Sequence, residues 1–136
     1  MNVSYLQGYP DDVREFGQSI SELVAGIFER EPPTPFDRLV AGGAYTIIVL
    51  FDGVMIASAM IRKRIDHYYL YNFGIVKEYR RQGLGRLLWE KVCFFCGGVF
   101  CWDVLVNNTN ARLFYLEMGG TVVEETDTNV VMMYEG

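Results

Sequence analysis

Apolar and polar positions fall into blocks along the chain, and the period within each block predicts an element of secondary structure. Residues 2–7 (Asn-Val-Ser-Tyr-Leu-Gln) read as a short opening strand. Val13, Phe16, Ile20, Leu23, Val24, Ile27 and Phe28 then recur at helical spacing behind Asp11 and Asp12, which predicts an amphipathic helix over 11–30. Glu31-Pro32-Pro33-Thr34-Pro35 breaks it, and one further helical turn is expected over 36–40. Tyr45–Phe51 and Val54–Ile61 are β-branched runs on either side of Asp52-Gly53, a strong hairpin signal. Arg62-Lys63-Arg64 reads as a polar link to a strand over His67–Val76. Leu84, Leu87, Leu88, Val92 and Phe95 mark a helix that stops at Gly97-Gly98. A strand over Val99–Val106, a helix over Ala111–Met118 and a hairpin of Thr121–Glu125 with Val130–Tyr134 complete the order. Strands before, between and after helices imply one mixed sheet with helices on both faces, in one domain spanning 1–136.

Composition narrows the class. Hydrophobic residues make up 51% of the 136 residues, too many for a disordered chain, yet no uncharged apolar run is long enough for a membrane span. The first residues lack the basic-then-apolar layout of a secretion signal, so a cytoplasmic protein is expected. A net charge of −5 argues against a general nucleic-acid binder and suits a cationic partner. Cys93 and Cys96 form a C-x-x-C, but they sit among Val92, Phe94 and Phe95, and no second ligand pair accompanies them. With Cys101 they read as structural thiols of a reducing compartment.

Chemistry concentrates in Lys77-Glu78-Tyr79-Arg80-Arg81-Gln82-Gly83-Leu84-Gly85-Arg86, where a strand ends and a helix opens. Gly83 and Gly85 allow close approach of a ligand to the backbone, and a helix start offers unpaired N–H groups and a positive dipole end. Arg80, Arg81 and Arg86 add positive charge there, so a phosphate group is the expected ligand. A Walker A loop is excluded because Arg86-Leu87 follows the second glycine, and a dinucleotide fingerprint because Leu88 replaces its third glycine.

Arg80-Arg81-Gln82-Gly83-Leu84-Gly85 resembles the R/Q-x-x-G-x-G/A signature of the GCN5-related N-acetyltransferases (GNAT). Phe73-Gly74-Ile75-Val76-Lys77-Glu78-Tyr79 looks like that family's strand and lead-in loop. Residues 108–119 are similar to its second motif, N-x-x-A-x-x-x-Y-x-x-x-G, through Asn108, Ala111, Tyr115 and Gly119. The resemblance implies a mixed α/β fold of three layers, α/β/α, with a mostly antiparallel sheet. It implies acetyl-CoA as acyl donor and a primary amine as acceptor.

Carried over residue by residue, the resemblance places the diphosphate on backbone amides of Arg81–Arg86, with Arg80, Gln82, Gly83, Leu84 and Gly85 shaping the turn. It runs the pantetheine beside Phe73, Gly74 and Ile75, with the Ile75 amide toward the thioester oxygen. Asn108 would help hold the pantetheine and the adjoining helix, and Tyr115 would give a proton to the departing thiolate. The base stays open between His67, Glu78 and a water chain. Alternation along 67–76 sets Tyr69, Tyr71, Phe73 and Ile75 on one face.

Gly120 stands where the family usually has an aromatic residue, which implies a packing gap that another side chain must fill. Acceptor choice is expected to lie with the loop after the first helix, the 62–66 link and the terminal hairpin; the first carries Glu29, Glu31 and Asp37 and the last Glu124, Glu125 and Asp127, acids that suit a polyamine, an aminoglycoside or a peptide amine. Arg62-Lys63-Arg64 is either a solvated link or a contact to the nucleotide end of the cofactor. A non-catalytic acyl-CoA sensor of the same fold is the competing reading, and the strand aromatics leave room for a homodimer.

Overall fold

The computed structural model describes residues 2–29 and 31–136 of the chain. Seven strands form one sheet in the order β1-β2-β3-β4-β5-β7-β6: β1 Val3–Gly8, β2 Tyr45–Phe51, β3 Val54–Lys63, β4 Tyr68–Ile75, β5 Phe100–Leu105, β6 Thr121–Glu125 and β7 Asn129–Tyr134. Every neighbouring pair is antiparallel except β4 with β5. The exception follows from connectivity, because a helix crosses between those two strands and parallel neighbours need such a crossover. That helix is α4, Leu84–Cys96, and the others are α1 Pro10–Val13, α2 Gly17–Phe28, α3 Phe36–Leu39 and α5 Thr109–Glu117.

Two cores lie on the two faces. Ile47, Val49, Ala57, Ala59 and Ile61 point to one side and pack with Leu88, Trp89 and Val92 of α4 and Tyr115 of α5. Ile48, Met55 and Met60 point to the other and pack with Val13, Ile20, Val24 and Leu39. This is the expected three-layer arrangement. Trp102 and Phe100 of β5 are fully buried in the first core, and truncating Trp102 to alanine would cost about 3–5 kcal/mol. Burial also pushes the Cys96 thiol up to about 12, as an apolar setting should.

Three differences from expectation matter beyond a residue or two at element ends. The first helix is two, α1 and α2, joined by a 3-10 turn over Arg14–Phe16. Gly17 opens α2 where Phe36 lies 3.0 Å from the position a Cβ would take, while Arg14 is drawn to Asp11 and Asp37. The apolar period survives the break because Val13, Ile20 and Val24 still reach one core. The expected last residue, Arg30, lies outside the described residues, as does the side chain of Phe28.

Arg62 and Lys63 are not a link; they extend β3 and pair with Tyr69 and Tyr68. Polar side chains at a strand end leave the backbone ladder free to continue. The third difference lies inside β4. Met60 pairs with Tyr71 and Ser58 with Gly74, so β4 carries an extra residue, and Asn72 takes a left-handed φ of 52°. Such a bulge reverses the side-chain phase. Tyr71 therefore packs on the α2 side, whereas Phe73 and Ile75 pack on the α4 side. The four residues do not share one face.

Candidate active site

β4 and β5 pair only at Tyr68–Phe100 and Tyr69–Cys101, then separate. The wedge between them opens a cleft of about 710 Å³, bordered by Tyr69, Tyr71, Asn72 and Phe73 on one strand and Trp102, Asp103 and Val104 on the other. The bulge supplies the asymmetry of this cleft. Residues before it present Tyr69 and Tyr71 from the α2 side, and those after it present Phe73 from the α4 side.

α5 closes the wedge. Asn108 caps it, its Oδ1 accepting from the Ala111 amide at 3.3 Å, and both residues border the cleft. Seven positions on from Asn108, two helical turns, Tyr115 enters the same cleft. Its ring lies 5.0 Å from Trp102 and 6.2 Å from Phe73, centroid to centroid. Burial raises the Tyr115 phenol above its ordinary value, so it stays protonated through the neutral range. The implied gap at Gly120 is filled by Trp102, whose Cζ2 lies 2.8 Å from where a Cβ would stand.

The loop ahead of α4 has the geometry of an anion cradle. Lys77–Tyr79 form a 3-10 turn, Arg81 has φ 63°, and Gly83 precedes the helix with φ 81°, a conformation glycine adopts without a side-chain clash. Among the described residues no side chain caps α4, so the first-turn amides of Leu84, Gly85 and Arg86 remain available. Gly85 brings this turn against Phe114 and Ile75, where a Cβ would stand 3.1 Å and 3.4 Å from their side chains. Arg80 Nε donates to the Ile75 carbonyl at 3.0 Å and Gln82 Nε2 to the Glu78 carbonyl at 3.2 Å, which braces the loop against the end of β4. An uncapped helix start beside glycines fits a diphosphate.

Gly74 lets α2 approach β4, since a Cβ there would stand 2.0 Å from Ile27 Cδ1. Ile27 and Glu29 thereby border the cleft opposite Asp103 and Asn129. Tyr69 donates its hydroxyl proton to Asp103 Oδ2 at 2.5 Å; burial first, then this carboxylate, raise the Tyr69 phenol. Asp103 was not singled out from the sequence, although it is the one charged residue in the apolar run Val99–Val106. Alternation there puts it on the face away from Trp102.

Other candidates lie elsewhere. His67 pairs with Asp66 at 2.6 Å in the β3–β4 turn, at the far end of β4 from Ile75. Asp37 is held by Arg14 at 2.6 Å and Glu125 by Arg112 at 3.3 Å, so of the six loop acids Glu29 alone borders the cleft.

The site thus combines a cleft between splayed strands that holds a buried phenol with a bare helix start beyond the end of β4. The family model described as Acetyltransferase (GNAT) family matches residues 13–119, so the chain belongs to that family, whose acyl donor is acetyl-CoA. No curated protein sequence matches the chain. Among solved structures it is similar to the ribosomal-protein-S18-alanine N-acetyltransferase of Escherichia coli, with a TM-score of 0.76 and 18% identity over 98% of this chain and 94% of that one. It is also similar to Naa50 of Arabidopsis thaliana in complex with the bisubstrate analogue CoA-Ac-MVNAL (TM-score 0.72, 15% identity, 100% of both chains). The PaiA N-acetyltransferase of Thermoplasma acidophilum in complex with coenzyme A gives 0.75 and 12%, again over 100% of both. The chain is an N-acetyltransferase.

Proposed function

We propose that the protein moves an acetyl group from acetyl-CoA to a cationic primary amine, either a small one such as a polyamine or the amine of a peptide, by direct attack on the thioester. The observation that supports this most is the meeting of Tyr115 and Asp103 in one cleft along β4, the strand whose far end leads into the uncapped start of α4. The bound donor supplies an activated acyl carbon and a thiolate leaving group.

The residues divide the remaining work. Amides of Arg81–Arg86, with the charges of Arg80, Arg81 and Arg86, hold the diphosphate. Phe73, Gly74, Ile75 and Asn108 line the path of the pantetheine, and the Ile75 amide polarises the carbonyl. Glu29 and Asp103 attract the ammonium form of the acceptor and the Tyr69 and Tyr71 rings flank it. The bound ammonium first gives one proton to water, which frees its lone pair; as the C–N bond forms and the C–S bond breaks, the nitrogen loses a further proton and the sulfur gains one. Asp103, an acceptor even while Tyr69 donates to it, takes the nitrogen's further proton; Tyr115, kept protonated by burial, delivers the sulfur's. A cytoplasmic setting suits the three free thiols.

A panel of amines, with spermidine, an aminoglycoside and a short peptide bearing a free N-terminus, tests the reading by release of free thiol from acetyl-CoA. Release with at least one amine is expected. Tight acetyl-CoA binding without release from any of them would replace it with the sensor reading.

A further inference from the structure

The basic triplet at the end of β3 has no part in the chemistry above. It lies at the opposite end of β4 from the loop ahead of α4, about 25 Å away by strand length. Its first member is nevertheless engaged in detail. Arg62 Nε donates to the Tyr71 hydroxyl oxygen at 3.0 Å, and Arg62 Nη2 donates to the Leu39 carbonyl at 3.2 Å. The guanidinium carbon stands 4.7 Å over the Tyr71 ring. Tyr71 in turn donates its own proton to the same Leu39 carbonyl at 3.1 Å.

Three elements are tied by this clasp. Leu39 is the last residue of α3, so its carbonyl is one that the helix itself leaves unpartnered. Tyr71 is the residue of β4 that borders the cleft immediately before the bulge at Asn72. With one hydroxyl both accepting and donating, Tyr71 has no proton to spare for catalysis. What it offers is a fixed ring. A planar guanidinium reaches two acceptors at a set angle, which a lysine ammonium does not reproduce.

We infer that Arg62 is a positioning residue for the acceptor: by tying the Tyr71 hydroxyl to the Leu39 carbonyl it fixes where the Tyr71 ring stands on the acceptor side of the cleft. This rests on the reading that an amine enters beside Tyr69 and Tyr71. The donor side, built around α4, shares none of these bonds.

The test uses the full chain with Arg62→Met, Arg62→Lys, Tyr71→Phe and the Arg62→Met/Tyr71→Phe double variant, assayed with the amine on which the wild type is most active. Acetyl-CoA affinity by calorimetry should stay within twofold in all four. The acceptor KM should rise about tenfold in Arg62→Met with kcat within twofold, and Arg62→Lys should recover only part of it. The double variant should be no worse than the poorer single one, since both break the same network. Backbone amides of 38–40 should exchange faster in every variant. An unchanged acceptor KM, or acetyl-CoA affinity falling in step with it, would overturn the inference while leaving the transferase reading intact. Failure of the wild type to release thiol with any amine would overturn both.

Discussion

The two ends of the cleft are built from different material. At the α4 end the binding groups we propose are main-chain amides, set in place by Gly83 and an uncapped helix start, and the residues that shape them run consecutively from Lys77 to Arg86. At the other end they are side chains: Glu29 just beyond α2, Tyr69 and Tyr71 from β4, and Asp103 from β5. A main-chain site depends on where the backbone can turn and is indifferent to most side chains around it. A side-chain site changes its chemistry with each replacement. One donor can thus serve many acceptors on the same scaffold, because donor binding is separated from the residues that select the amine.

Tyr115 stands where the two ends meet, and its loss should have the largest effect. Tyr115→Phe keeps the ring that packs on Trp102 and removes the proton. Turnover should fall about a hundredfold, near 2.7 kcal/mol of barrier, with acetyl-CoA affinity within twofold. Thiol release and calorimetry on one preparation check both halves. An unchanged rate would assign the proton to another group.

Gly83→Val strikes the donor end alone. Nothing stands within 4 Å of a Cβ there, so the penalty is conformational, about 1–2 kcal/mol for a side chain held at φ 81°. The KM for acetyl-CoA should rise about five- to thirtyfold and the KM for the amine should stay put. Asp103→Asn strikes the acceptor end alone. Its carboxylate is exposed, so solvent screens its charge and water shares the proton transfer; a rise of about threefold in amine KM, shrinking at high salt, and a fall of about tenfold in turnover are expected. A donor effect from Asp103→Asn, or an acceptor effect from Gly83→Val, would break the division between the ends.

The same division explains how much could be read ahead of the fold. The strand, loop and helix from Phe73 to Cys96 are contiguous, and glycine positions plus apolar period define them, so the fold of the proposed donor end was legible almost element by element. The acceptor end was not. Asp103 comes near Tyr69 only because β5 pairs with β4 in parallel for two residues and then departs. Tyr71 and Phe73 part faces through a bulge at Asn72, an asparagine with nothing in its neighbours to announce a positive φ. Gly120 marked a departure from the family pattern without naming what compensates, since Trp102 lies on another strand. Arg62 read as loop because its charge hides a strand position that Tyr71 and α3 make hospitable.

The smallest effect is on stability at alkaline pH, and it tests whether the junction is as dry as the geometry indicates. Tyr115 and Tyr69 are raised chiefly by burial, and Cys96 is raised to about 12 from an ordinary 9.0. In each case the folded protein holds a proton that the unfolded chain gives up sooner. The stabilisation is therefore complete below the unfolded values, near 9 for the thiol and about 10 for the phenols, and is lost as pH climbs toward the folded ones. Denaturant midpoints should fall steadily above pH 9. Tyr115→Phe should flatten that fall more than Tyr69→Phe, because Tyr115 is the more buried ring and Tyr69 reaches the acceptor end, where solvent shares the work. Equal slopes in the two variants would mean that water reaches the wall between the ends, and that Tyr115 is less protected than its packing against Trp102 implies.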